Sequence, residues 1–231
     1  SSVYRLLLID TSESAIFHGL GMSRKPWAYQ VAAKILFDAI KQQRQSSQLK
    51  ALTALCQPKI CLEDLNSSGA EYVAVEMLAG SLIVLAHKII DLHGALPIKS
   101  AGALHFESEI NRLIRDYPAA RIKKKFELPL KFCVGREVGH LPLGIIVYGA
   151  RNQYCHFGES RRLDPLNELV FNHLQQLYAD AEWLNFDAKA GGRILALTAT
   201  STLYWTADEN DGIVGFERFC EDMSDVVGQA Y

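Results

Sequence analysis

Cysteine is scarce in this 231-residue chain, and what there is does not pair. Five cysteines, an odd number at irregular spacing, exclude a disulfide framework. Cys56 and Cys61 are separated by four residues and no Cys/His pair of finger-like spacing follows, so no metal site is expected. Reduced thiols in a cytoplasmic protein are the simplest reading. Excess charge is also missing. Twenty-four basic residues against 26 acidic ones leave a formal net charge of -2, so any affinity for a polyanion has to come from a local patch. Arg5 and Asp10 bracket too short an apolar run for a secretory signal. The longest apolar stretch, within Glu71 to His93, is interrupted by Glu76, His87, Lys88 and Asp91, which argues against a membrane span. The chain opens on serine, so an initiating methionine is expected to be missing or processed. Internal repeats, low-complexity tracts and alternating strand–helix patterns are absent, and the last absence removes a parallel sheet from consideration.

What is present is helical periodicity in a chain of ordinary composition, with 49% hydrophobic and 22% charged residues. An apolar opening (Val3 to Ile9) and a turn-rich stretch (Asp10 to Ser23) precede a helix start marked by Ser23 and Pro26. Val31, Ile35, Phe37 and Ile40 predict a helix over Trp27 to Gln45, with a second piece over Leu49 to Leu55. Pro58 interrupts, and Cys61 to Ser68 reads as loop. Ser68 and Glu71 form a capping box for a long helix to His93, apolar on more than one face and stopped by Gly94. Glu76, His87 and Lys88 on that helix read as polar contacts at the edge of the core. Leu104 to Tyr117 is amphipathic and ends before Pro118.

Arg121 to Arg136 is the one basic concentration. It carries Lys123, Lys124, Lys125 and Lys131 against a single Glu127, with Phe126, Leu128, Leu130 and Phe132 alternating as in an extended edge segment. Leu141-Pro142 then opens a helix in which Gly144 and Gly149 are unexpected. Asp164-Pro165 starts the cleanest amphipathic helix, through Leu184. Arg193 to Trp205 suits a strand as well as a helix, and Asp208 to Asp225 is an acidic counterpart to the basic segment. The expected architecture is mainly all-α. It comprises an N-terminal helical extension (1–66), a helical bundle (67–187) and a C-terminal extension with an acidic tail (188–231).

Chemistry concentrates where the apolar run Leu141 to Phe157 ends in Arg151, Asn152 and His156. On a helix Asn152 and His156 share a face, with Tyr148 one turn before and Glu159 near one turn after, while Arg151 reaches round with its long side chain. Arginine grips two phosphate oxygens with a planar fork, histidine moves a proton near neutrality, and asparagine orients either of them. These are parts for cutting RNA without a metal: a base for the 2′-hydroxyl, an acid for the leaving oxygen, a cation for the transition state. One histidine does not serve easily as both acid and base in the same step. Two copies across a two-fold axis would supply the second, so the enzyme reading favours a homodimer.

The run Arg151-Asn152-Gln153-Tyr154-Cys155-His156 resembles the signature of the HEPN superfamily (higher eukaryotes and prokaryotes nucleotide-binding domains), an arginine, usually a polar residue, then a histidine after four to six positions. The order of helices over roughly 68–187 is similar as well. The resemblance implies a helical bundle that dimerises, placing two motif copies in one cleft. It also implies a cofactor-free, metal-independent endoribonuclease in toxin–antitoxin, abortive-infection or CRISPR-linked phage defence. An RNA substrate and a cognate antitoxin or regulatory protein are the partners it implies, with no membrane. By position, Arg151, Asn152 and His156 are the catalytic residues. Tyr148, Glu159, Lys123, Lys124, Lys125, Arg161 and Arg162 are candidate substrate contacts, the last two being otherwise simply exposed. Two residues after the histidine, where a subgroup silenced by adenylylation has tyrosine, this chain has Gly158, so that form of control is not expected. Cys155 beside His156 points elsewhere on a helix and reads as a packing residue. The competing readings are a catalytically silent HEPN-like module that binds a nucleotide or partner protein, and a purely structural helical protein.

Overall fold

The first described helix begins at Pro26, where proline's fixed φ suits the first helical position. In the computed structural model, which describes residues 26–55, 62–93, 101–116, 130–155, 165–177, 196–206 and 215–228, helix α1 (Pro26–Leu55) runs unbroken. The expected division into Trp27–Gln45 and Leu49–Leu55 is therefore corrected. The serine at the junction does not end the helix, because Ser47 Oγ donates to the Gln43 carbonyl at 3.1 Å. Ala33, Phe37 and Ile40 face the core, whereas Val31 and Ile35 are 52% and 63% exposed. Two of the four apolar residues that predicted the helix thus lie on its outer side.

Helix α2 (Leu62–His93) also starts earlier than expected, so the loop placed over Cys61–Ser68 is helix from Leu62 onward. Ser68 and Glu71 are inside it and are not its cap. Glu71 turns towards α1 and forms an ion pair with Lys50. The stripe Val75, Ala79, Leu82, Ile83, Ala86, Ile89 and Ile90 is buried, and its alanines allow neighbours to approach closely. Tyr72 and Val73 are half exposed, so the helix is apolar on one broad face and not all round. Ala70–Leu92 is long and apolar enough to cross a membrane by length and composition. In this fold that segment packs against four other helices, α1, α4, α6 and α7, whose ranges follow.

Helix α3 (Ala101–Asp116) buries Ala103, Phe106 and Ile110 at helical spacing and leaves Leu104 outside. Residues 130–136 form a turn in which Phe132 is fully buried, and the chain then makes a minimal hairpin of β1 (Glu137–Val138) and β2 (Leu141–Pro142). Gly139 and His140 both have positive φ, 55° and 66°, as a tight two-residue hairpin turn requires. Leu141 and Pro142 are thus strand, and the next helix begins one residue later.

That helix, α4 (Leu143–Cys155), has every residue from Leu143 to Ala150 buried. It needs no capping side chain, because Leu143 N–H donates to the Arg136 carbonyl at 2.9 Å and Gly144 N–H to the Val134 carbonyl at 3.0 Å. Its unexpected glycines have a packing reason. A Cβ at Gly144 would collide with the Phe132 carbonyl, and one at Gly149 would press on Val170.

Helix α5 (Pro165–Leu177) covers α4 with Leu166, Val170, Phe171 and Leu174. Residues 196–202 settle as helix α6 (Ala196–Thr202), with the hydroxyls of Thr200 and Thr202 bonded back to the carbonyls of Leu197 and Thr198. Helix α7 (Gly215–Val227) places Phe219, Met223, Val226 and Val227 in the core. The acidic stretch is therefore not simply a surface tail: from Gly215 it is an amphipathic helix packed on α1 and α2. Among the described residues the architecture is mainly helical, seven helices and one two-stranded hairpin.

Candidate functional site

The motif helix emerges from the core at its last turn. Up to Ala150 it is closed off by neighbours, and from Arg151 onward most positions are partly open, Gln153 being the buried exception. Arg151 and Asn152 stand together there, with Arg151 Nη1 donating to Asn152 Oδ1 at 3.3 Å. Among the described residues no carboxylate forms an ion pair with Arg151. A guanidinium at the edge of a hydrophobic core is suited to receive an anion from outside.

What fixes the rotation of α4 is the pair of aromatic residues on either side of the arginine. Tyr154 lies over Gly80 of α2, in space that a Cβ at position 80 would occupy. Its hydroxyl reaches the Met77 carbonyl at 3.4 Å. Tyr148, one turn before Arg151, is only 8% exposed and packs its ring 5.1 Å from that of Phe132. As a candidate substrate contact Tyr148 is thus a wall residue, with little surface of its own to offer.

A residue that the sequence placed only at the edge of the core completes the wall. His87 of α2 stacks on Phe132 at 4.6 Å and on Tyr148 at 6.0 Å, each at an interplanar angle of 29°. Burial drives its pKa down from the ordinary histidine value to about 4, and the nearby charge of Arg151 adds to that effect. The imidazole is therefore neutral at neutral pH. Lys131 and Lys88 push in the same direction and Asp91 opposes them. Lys131 is itself tied to Asp91, by an ion pair to the carboxylate and a 3.0 Å bond to the carbonyl. The only sequence signal for His87 was a histidine inside the apolar stripe of α2, one turn from Ile83, and such a position fits a polar edge contact equally well.

No family model, no curated protein and no solved structure matches the chain. The chemistry of the site thus rests on its own residues.

Of the expected site residues, Arg151, Asn152 and Tyr148 come together on one end of α4. His156, Glu159, Arg161, Arg162, Lys123, Lys124 and Lys125 lie outside the described residues. Cys155 has a thiol pKa raised by burial, against the opposing influence of Arg151, so it is an unreactive packing residue at neutral pH. The basic segment that leads into the motif divides its work. Arg136 does not face solvent as a polyanion contact; its Nε donates to Asp222 Oδ1 at 2.7 Å, and one Nη donates to the Leu203 carbonyl at 2.7 Å. Asp222 also accepts from Trp205 Nε1 at 2.8 Å. The basic and acidic ends thus meet inside the protein, under the turn that launches α4.

Glu76, the residue before Met77 on α2, caps α6. Its two oxygens accept from the backbone N–H groups of Ala196 and Leu197 at 2.6 and 2.9 Å. Burial raises its pKa while these two bonds hold it down. Its role is structural, and so is that of the Arg136–Asp222–Trp205 group.

Proposed function

We propose that the protein is a metal-independent endoribonuclease of HEPN type. The observation that carries this reading is the pairing of Arg151 and Asn152 where α4 leaves the core, with no acid among the described residues to neutralise the arginine. Four residues after Asn152 the sequence supplies His156. In the proposed reaction a base takes the proton of the RNA 2′-hydroxyl and its oxygen attacks the adjacent phosphorus. The bond from phosphorus to the 5′ oxygen breaks, and an acid returns a proton to that leaving oxygen. Arg151 holds the non-bridging oxygens as negative charge accumulates on them, Asn152 orients them, and His156 moves a proton. The active form proposed is a cytoplasmic homodimer acting in a toxin–antitoxin or phage-defence setting, held in check by a cognate protein.

Incubating the wild type, Arg151→Ala and His156→Ala with mixed RNA in EDTA tests this. Cleavage by the wild type and a loss of at least about 100-fold in either variant is expected, since general acid–base catalysis contributes about that much or more. Cleavage that persists in both variants rejects the mechanism. Binding of RNA without cleavage supports the catalytically silent nucleotide- or partner-binding module instead.

A further inference from the structure

His87 stands where a second site residue is needed. Its ring faces Tyr148, and Arg151 is the next residue on that face of α4, one turn beyond. The imidazole is neither free to swing nor sealed in. Phe132 and Tyr148 hold it in a parallel stack, yet the side chain remains only partly buried. The titratable and charged groups around it come from three directions: Lys88 and Asp91 on its own helix, Lys131 from the turn before β1, and Arg151 and Tyr148 from α4. Lys131 and Asp91 neutralise each other. That leaves Arg151 and the exposed Lys88 without a carboxylate among the described residues, on either side of a neutral imidazole. Burial first and then the charge of Arg151 suppress protonation of the imidazole, and an arriving anion opposes the second of these.

We propose that His87 and Arg151, with Tyr148 as the wall between them, form a phosphate-binding site within a single chain, with His87 as a second proton-carrying residue beside the arginine. The proposal rests on reading Arg151 as an anion-binding residue and does not depend on cleavage. An anion seated on the Arg151 guanidinium offsets the charge that helps hold His87 neutral, so binding favours uptake of a proton from solvent onto the imidazole. His87 then donates a hydrogen bond to the anion. The pair requires no second copy of the chain, although a dimer is free to bring two such sites together.

The test uses the full chain with two probes. One is inorganic phosphate. The other is a 2′-O-methyl oligoribonucleotide, which keeps the phosphodiesters but has no reactive hydroxyl. Calorimetry in buffers of different ionisation heat counts the protons taken up, and NMR follows the His87 ring. At pH 6 the expected result is net proton uptake and a rise of the His87 titration midpoint on binding. Affinity falls at least 10-fold in Arg151→Gln and several-fold in His87→Gln, with the proton uptake abolished in the latter. Binding that leaves the wild-type His87 titration unmoved overturns the proposal, and this measurement needs no variant to fold. Failure of the wild type to bind either probe overturns both this site and the nuclease reading. Proton-linked binding that disappears in His87→Gln, in a protein that cuts no RNA, sustains this site and rejects the nuclease.

Discussion

The ring of Tyr154 occupies the space above Gly80 that any side chain at position 80 would need. This contact joins the motif helix to the central helix α2 within one turn of Arg151, so it sets which way the arginine faces. Gly80→Ala is expected to force the ring aside and to cost about 1–3 kcal/mol of stability. Tyr154→Phe loses the hydroxyl's 3.4 Å contact with the Met77 carbonyl and its hydrogen bond with Ser81, and is expected to cost about 1 kcal/mol. Urea denaturation of the two variants checks the order, and a Gly80→Ala protein as stable as wild type would contradict the packing described.

Asp222 is shared by Arg136 and Trp205, three side chains from separate parts of the chain. Burial raises its pKa, and the bonds from Arg136 and Trp205 work against that rise. Asp222→Ala leaves the guanidinium and the indole N–H without their acceptor and is expected to cost about 3–5 kcal/mol. Replacing Arg136 and Asp222 together with leucine is expected to recover part of that loss. Equilibrium unfolding of the single and double variants reads the coupling directly.

The buried imidazole of His87 gives the fold a defined pH dependence. The unfolded chain protonates this residue near pH 6.5 and the folded chain only near 4, so the unfolded state binds more protons between those values. The stabilising contribution is present in full above pH 6.5 and is lost as pH falls through 4. A difference of this size corresponds to about 3 kcal/mol at most. His87→Phe keeps an aromatic ring in the stack and removes the titration. Its stability is therefore expected to vary less than the wild type's between pH 7 and pH 4.5, as measured by denaturant midpoints.

Glu76 is the N-terminal cap of α6, supplied from a helix 120 residues earlier in the chain. Glu76→Ala is expected to cost about 1–2 kcal/mol, the range for loss of a good cap. Hydrogen exchange locates the effect: protection should fall first at the amides of Ala196 and Leu197, with α2 itself little changed.

Much of the helical layout was legible because it depends on local rules. Pro26 and Pro165 mark starts that the structure keeps, and the stripe Leu166, Val170 and Leu174 faces inward as its spacing predicts. The failures share one cause, tertiary contact outweighing a local signal. Ser47 lies inside a helix that was expected to divide between Gln45 and Leu49, and Glu71 leaves its capping box for Lys50. Arg136 and Asp222 read separately as ends of two charged surfaces, because nothing in the sequence says that they meet. The site was half legible. Arg151 and Asn152 declare themselves by residue type and spacing, whereas His87 is joined to them only by the packing of α2 on α4.

The link between Arg136 and Asp222 spans 86 residues of chain. The turn that starts the motif helix is therefore braced from beneath by a part of the protein made long after it. On a ribosome adding about 5–20 residues per second, Arg151 is synthesised several seconds before Asp222 can support the turn below it. During that interval the nascent chain carries the arginine and the histidine in sequence but not yet the brace that seats them. An activity assembled at this site would switch on late in synthesis, which gives any restraining partner time to reach the chain first.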